Sequence, residues 1–414
     1  MKKIAIIGAG ISGLTAAYLL GRRHAVTLFE AESQLGGHTH TVHIKRPHGD
    51  YGVDVGFIVF NDRTYPNFNK LMAQIGVGRR DTEMGFAVSC ERTGLEYCGR
   101  NTAGVFAQRR NLLSWPHWRM IRDILRFNRE APALLEHDDG EMPLGDYLRR
   151  EGYSERFMSH YILPMGGAIW SCSEKHMADF PARFFIRFFD HHGLLSLKNR
   201  PQWHVVPGGS SSYLEKLVPA INADIRVATP VQQVLRSEKG VTVVSPAGRE
   251  GFDEVVFACH SDQALALLGD ADEQERRLLA DIPYQENDVV LHTDTRLLPR
   301  SKRVWSSWNA LLPKQPGDRI QVTYNMNILQ GIEAPETFCV TLNATDRIDP
   351  VTIISRHSFS HPVFTPAGIA SRQQIQADNG RNKTWFCGAW LRNGFHEDGV
   401  VSALNVAEAF GEQL

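Results

Sequence analysis

The sequence predicts an α/β chain in which two domains interleave. One is built on a parallel sheet of Rossmann-like order; the other is an α+β unit with a mixed or antiparallel sheet plus helices. Three observations predict this. An apolar strand from Lys3 to Ile7 runs straight into Gly8, Gly10 and Gly13, and a small-residue helix follows from Leu14. A second apolar run, Ala25 to Phe29, ends in Glu30. The remaining apolar alternation falls in two separated blocks, around 86–97 and 289–342. With 414 residues the chain exceeds what one core fills, so two domains are expected.

Taken in order, the opening turn is Rossmann-like. Gly8 permits a tight turn, Gly10 lets the backbone approach a pyrophosphate, and Gly13 lets helix and strand pack closely. An anion would rest on the free N–H groups at the helix start, Ile11 and Ser12. Glu30 follows the glycines at about the 20-residue spacing at which a carboxylate accepts from ribose hydroxyls. A glycine turn without a ligand is the plain alternative.

Immediately after Glu30 the chain reads Ala31-Glu32-Ser33-Gln34-Leu35-Gly36-Gly37-His38-Thr39-His40-Thr41, and later Val53-Asp54-Val55-Gly56-Phe57-Ile58. This resembles the extended flavin fingerprint of the flavin-containing amine oxidase superfamily, which includes phytoene-desaturase-like and protoporphyrinogen-oxidase-like enzymes. The resemblance implies FAD as cofactor, with Ala31, Gly36, Gly37, His38, Thr39, Gly56, Phe57 and Ile58 among its contacts. It returns in Ala228-Thr229-Pro230-Val231, where it implies that Val231 meets the adenine. It returns again in Thr384-Trp385-Phe386-Cys387-Gly388-Ala389-Trp390 and in Gly394 to Ala403. There it implies a strand ending at Gly388 and Ala389, then a helix whose first amides, around Asp398, Gly399 and Val400, face the flavin pyrimidine. A helix N-terminus so placed stabilises negative charge on the reduced ring.

Domain boundaries follow from these landmarks. Residues 1–61, 205–281 and 362–414 are expected to form the FAD-binding domain, and 62–204 with 282–361 the substrate-binding domain. In the second, Tyr65 to Met72 reads as a helix, and Phe86–Cys90 and Leu95–Tyr97 as strands. From Arg109 to Glu130 an amphipathic helix is predicted, with Leu112, Leu113, Trp115, Trp118, Ile121, Ile124, Leu125 and Phe127 on one side and Arg119, Arg122, Arg126 and Arg129 on the other. Such a helix could lie on an anionic membrane; a solvated basic face above a core stripe is the simpler expectation. Leu163 to Trp170 and the aromatic run Ala182 to Asp190 read as buried helices, with core packing preferred to the wall of a substrate channel. Trp203 to Leu214 resembles the family's re-entry segment. Strands follow at 225–228, 233–237, 241–245 and 254–258, then at 289–294, 304–309, 322–327 and 338–342. Cys259 and His260 do not make a nucleophile pair, because adjacent residues of a strand point to opposite faces.

Composition narrows the function. A net charge of -1 gives no basis for nucleic-acid binding. The six cysteines are scattered without a C-x-x-C pair, which suits a reducing compartment. No signal peptide is read, nor any run near the ~20 apolar residues of a membrane span. A cytoplasmic protein is expected, with a possible peripheral membrane contact. His38, His40 and His43 alternate, but in this context they belong to the flavin-binding turn, so no metal is expected.

Several positions depart from the amine-oxidase pattern. The lysine common in the strand near 289–293 is absent, with Leu291 or His292 in its place. The paired tyrosines of an amine cage have no counterpart, and His361 and His396 stand near those segments. His38 replaces the usual arginine, and Ala389 replaces an acidic residue. The expected reaction is transfer of a hydride from a substrate carbon to flavin N5, with a small-molecule substrate that is hydrophobic or lipid-like. His292, His361 and His396 are the candidate site histidines, since imidazole handles protons near neutral pH; each also reads as structural. The alternatives are a flavin-dependent amine oxidase and a flavin-carrying partner subunit without turnover of its own. Oxygen, a quinone or a protein could each serve as electron acceptor.

Overall fold

The computed structural model describes residues 1–136, 142–170, 173–196, 200–315 and 320–414. The strand Lys3–Ile7 is central in a five-stranded sheet ordered 224–226, 25–29, 3–7, 254–257, 384–386, with every neighbouring pair parallel. Parallel sheets are covered on both faces, and Ile4, Ala5, Ile6, Val255 and Val256 are accordingly fully buried. One face carries the helices Ile11–Leu20 and His396–Ala409. Their small residues Ala16, Ala17, Ala403 and Ala407 are all buried in the same core, which lets the two helices lie close. The other face packs on an antiparallel meander of 233–237, 240–245 and 248–252 through Val234, Val241, Val243 and Phe252.

A second sheet has seven strands in the order 353–362, 284–292, 339–342, 321–325, 308–312, 86–90, 96–98. All pairs are antiparallel except 308–312 with 86–90. The helices Leu144–Arg150, Leu163–Trp170 and Ala182–His191 share one aromatic-rich core with its Val88, Ala310, Leu312 and Val322. No helix among the described residues is long and apolar enough to cross a membrane.

Several expected elements differ from the structure; the strand expected at 289–294 is Tyr284–His292, and the one expected at 322–327 is Gln321–Asn325, followed by the helical turn Met326–Leu329. The strand expected at 225–228 is Asp224–Arg226, and Ala228 turns with φ +47°, which aims the following segment back at Glu30. The strand expected from Val304 begins at Trp308, because the Asn309 side chain ties both the N–H and the C=O of Ser306 into a turn. The helix expected from Arg109 to Glu130 is a 3₁₀ turn, Arg109–Leu113, followed by the helix Trp115–Glu130. Pro116 sits in its first turn, the place where a missing N–H costs nothing. Its buried side chains are His117, Met120, Asp123 and Phe127, whereas Leu112, Leu113, Trp115, Trp118 and Leu125 are exposed. Of the predicted apolar stripe, Phe127 is fully buried in the core and Ile124 packs partly against it, while those five exposed residues stand uncovered.

Candidate active site

A cavity of about 1460 Å³ starts at the C-terminal ends of the parallel strands and continues between the seven-stranded sheet and the helices behind it. That is where open α/β sheets bind ligands, and its size exceeds the ~300–1,000 Å³ of ordinary small-molecule pockets.

The strand-end half is made of backbone. Gly8 has φ +103°, and a Cβ there would come within 2.9 Å of the Ala258 carbonyl oxygen. A Cβ on Gly13 would lie 1.9 Å from the oxygen of Gly8. At Gly10, by contrast, a Cβ would meet nothing within 4 Å, and the residue lines the cavity. The bare side of Gly10 thus faces space a ligand can fill, beside the first amides of the Ile11–Leu20 helix. Gly36 N–H donates to the Ala9 carbonyl at 2.9 Å and lays the second glycine turn across the first. Glu30 accepts from Ala9 N–H at 2.7 Å and from Glu32 N–H at 2.9 Å. The backbone of Ala228 and Thr229 donates to Glu32 and Glu30, each at 2.8 Å, which brings Val231 to the cavity wall. Gly56 packs so tightly on His38 that a Cβ would fall 2.0 Å from its carbonyl oxygen. Thr39 Oγ1 is hydrogen-bonded to Tyr213 Oη at 2.6 Å and His396 Nε2 at 2.9 Å.

Gly8, Gly10, Ile11, Ser12, Glu30, Ala31, Gly36, Gly37, His38, Thr39, Gly56, Phe57, Ile58, Val231, Gly388 and Ala389 all line this one cavity, with His361 and His396. Gly13, Asp398, Gly399 and Val400 stand behind it. A Cβ on Gly399 would meet Ile11 and Ser12 at 2.8 Å, so the last helix begins against the start of the first. Asp398 accepts from Phe395 and Asn393 N–H, and Val400 is fully buried. His292 is not brought to the cavity. It is sealed in the sheet, bonded through Nε2 to Thr341 Oγ1 at 2.7 Å and accepting at Nδ1 from Asp294 N–H.

The donor set fits a dinucleotide. Three features carry the fit: the open side of Gly10 at a helix start, the Glu30 carboxylate at the end of the second parallel strand, and the Nε2 atom of His38, buried with no hydrogen-bond partner among the described residues.

The other half of the cavity is made of side chains. Tyr161, Met165, Ile169, Trp170, Phe188 and Tyr324 wall it, and on this side its charged lining residues, Glu83, Arg100 and Arg200, are all exposed. The helices Leu163–Trp170 and Ala182–His191 therefore do more than pack a core, contrary to expectation.

Between the halves lies a group of imidazoles. His38 stands 5.5 Å from His361 and 6.1 Å from His260, and His40 lies 4.7 Å from His357, ring centre to ring centre. Burial, then the neighbouring imidazoles, push His38 down to about 3 and His361 to about 4; burial also lowers His40, His260 and His357. The group is neutral at pH 7. Asn287 Nδ2 donates to His361 Nδ1 at 2.9 Å, while its own oxygen accepts from Asn343, so His361 carries its proton on Nε2. His396 stacks on Phe57 at 3.6 Å and is held by Thr39. His260 stacks on Tyr284 at 4.4 Å, and burial pushes the Cys259 thiol up to about 12.

His357, Phe359 and His260 line the cavity but were not anticipated. A signal existed for two of them: His357, Phe359 and His361 alternate along one strand and so share a face.

Comparison with known proteins places the chain among flavoproteins. The family model for flavin containing amine oxidoreductase matches residues 11–319. Amine oxidase [flavin-containing] A of Bos taurus is 26% identical over 260 residues, covering 59% of this chain and 46% of that protein. Carotenoid phi-ring synthase of Chlorobaculum tepidum is 38% identical over 204 residues, covering 45% and 31%. The chain spans about half the length of the curated relatives it matches. Among solved structures, the CLA-producing fatty acid isomerase from P. acnes superposes with a TM-score of 0.74 at 16% identity, covering 99% of this chain and 98% of that one.

Proposed function

The chain belongs to the flavin-containing amine oxidoreductase family, whose cofactor is FAD, and from that premise we propose that it is an FAD-dependent oxidoreductase acting on a hydrophobic, lipid-like substrate. The observation that carries this reading is the apolar chamber that continues the dinucleotide cradle without a buried charge among its described lining residues. Bound FAD supplies a two-electron acceptor for a hydride from a substrate carbon.

The chain's own residues do the holding. Gly8, Gly10, Ile11 and Ser12 would seat the pyrophosphate, Glu30 the ribose, and Ala31 with Val231 the adenine edge. Gly36 to Thr39 and Gly56 to Ile58 would follow the ribitol, and Gly388 with Ala389 would meet the ring. Gly13, Asp398, Gly399 and Val400 keep the two helix starts together behind it. On the substrate side, Trp170, Phe188 and Tyr324 exclude water and align an apolar chain. His361 presents Nε2–H and can donate to a substrate oxygen; with Nδ1 occupied by Asn287, it is not a free base. His396 is a positioning residue, locked between Phe57 and Thr39.

With this division of labour we also propose domain boundaries at 61/62, 204/205, 281/282 and 361/362. Amine oxidation is the second reading, favoured by the likeness to bovine amine oxidase A. Anaerobic titration of the purified yellow protein separates the two. Bleaching of the flavin band by unsaturated fatty acyl compounds, and not by primary or secondary amines, is expected. Bleaching by amines alone would replace the proposal with the second reading.

A further inference from the structure

Among the described residues, eight large apolar side chains stand exposed, and five of them fall within residues 112–125: Leu112 (49%), Leu113 (94%), Trp115 (69%), Trp118 (45%) and Leu125 (48%). The rest are dispersed, at Met1, Val227 and Val351. The helix Trp115–Glu130 buries Met120 and Phe127 in the core and still carries large apolar residues on its outer face. Its polar His117 and Asp123 point inward, His117 Nε2 to the Val105 carbonyl at 3.1 Å and Asp123 to Ser154 N–H at 3.0 Å. Its outer face, at spacings of three and four, carries Trp115, Trp118, Arg122, Leu125 and Arg129. A contiguous apolar patch on the outside of a folded protein marks a contact surface.

Charge decides which contact. Residues 109–130 contain six arginines, at 109, 110, 119, 122, 126 and 129, against two acids, Asp123 and Glu130, in a chain whose net charge is -1. Asp123 is buried and Glu130 pairs with Arg126 and Arg129. A two-fold contact between copies of this patch would set arginines against arginines. Exposed tryptophans and leucines ringed by arginine instead match the interface of an anionic bilayer, where the aromatic rings sit at headgroup depth and each arginine gains from the surface potential.

We propose that this face, the Arg109–Leu113 turn with the outer side of the Trp115–Glu130 helix, docks on an anionic lipid membrane. The face adjoins the substrate cavity. Gly99 and Arg100 line that cavity, and the segment after them packs on the docking helix, with the Phe106 ring 4.9 Å from Trp118. Docking would bring the Arg100 side of the chamber to the bilayer, the source of a lipid-like substrate; this last point rests on the function proposed above, whereas the docking itself does not.

The test is flotation of the flavin-loaded protein with phosphatidylglycerol vesicles and with phosphatidylcholine vesicles. Binding to the first and not the second is expected. Leu113→Ser/Trp115→Ser and Arg119→Glu/Arg122→Glu are each expected to weaken it about tenfold or more, with flavin content and melting temperature unchanged because these side chains are exposed. Added salt should weaken it further. The proposal is overturned if phosphatidylglycerol vesicles fail to float the protein, or if Leu113→Ser/Trp115→Ser floats as well as the parent. It is equally overturned if sedimentation reveals a dimer that this double variant dissolves. A failed substrate titration with intact flotation would strike the proposed chemistry alone.

Discussion

The two halves of the cavity are built in opposite ways. The cradle at the strand ends is shaped by backbone, by places where a Cβ cannot exist: 2.9 Å from Ala258 at Gly8, 1.9 Å from Gly8 at Gly13, 2.0 Å from His38 at Gly56. The chamber beyond it is shaped by side chains such as Trp170, Phe188 and Tyr324, which would look the same in any core. A backbone-made site tolerates almost no variation and so writes itself into the sequence as glycines at fixed spacing. A side-chain-made site requires only volume and apolarity, and it fixes its substrate through shape.

If that contrast is sound, the largest single effect lies in the cradle. Gly13→Val should cost ~3 kcal/mol or more, because its Cβ would press on a peptide oxygen that no rotamer change can move. Loss of bound flavin and a lower melting temperature are both expected, read from the visible absorbance against that at 280 nm and from a thermal scan. Gly10→Val should lose the flavin too, yet keep the melting temperature of the flavin-free parent. Gly10 has φ -73°, open to any residue, and free space on its Cβ side. A Gly10→Val protein purified with its full complement of flavin would refute the cradle assignment.

The same contrast explains what the sequence disclosed. The parallel sheet, the helix after Gly10 and the Glu30 position were legible because strand, glycine turn and carboxylate recur at fixed offsets. The exposure of Leu113, Trp115 and Trp118 was not, since periodicity identifies an apolar stripe and only packing says whether anything covers it. Nor was the sealing of His292, whose place in the strand depends on Thr341 across the ladder and on the Asp294 turn. The imidazole group was half legible: the alternation at 357, 359 and 361 stood in the sequence, but its meeting with His38 and His260 joins residues more than a hundred positions apart.

In the chamber a truncation should behave differently. Phe188 is nearly buried and stacks on His192 at 3.9 Å and on Phe395 at 5.3 Å. Phe188→Ala is expected to cost ~2–3 kcal/mol, toward the low end for a buried aromatic because one side already faces the cavity. Its flavin content should equal the parent's, while its KM for an apolar substrate rises. Flavin loss as complete as in Gly10→Val would mean that the two halves are not separable, and the comparison would break.

The smallest effect distinguishes a histidine in the sheet from one in the cavity. His292 is fully buried, accepts from Asp294 N–H and is held down to about 4 by burial. Its unfolded value is near 6.5, so the unfolded chain binds the proton first as pH falls. The stability that this group contributes is complete above about pH 6.5 and is lost progressively toward pH 4; at pH 5 the loss is about 2 kcal/mol. His292→Gln, which keeps a donor for Thr341, should therefore flatten the decline between pH 7 and pH 5 by that amount in urea melts. Adding FAD should leave the His292 part of the decline untouched, because His292 does not line the cavity. It should alter the part due to His361, which does line it and whose value is also pushed to about 4 by burial and by His260. Melts of His292→Gln and His361→Gln, each with and without FAD, read this directly. If FAD shifts both declines alike, the sheet and the cavity are coupled, and the side-chain-made half is not independent of the cradle.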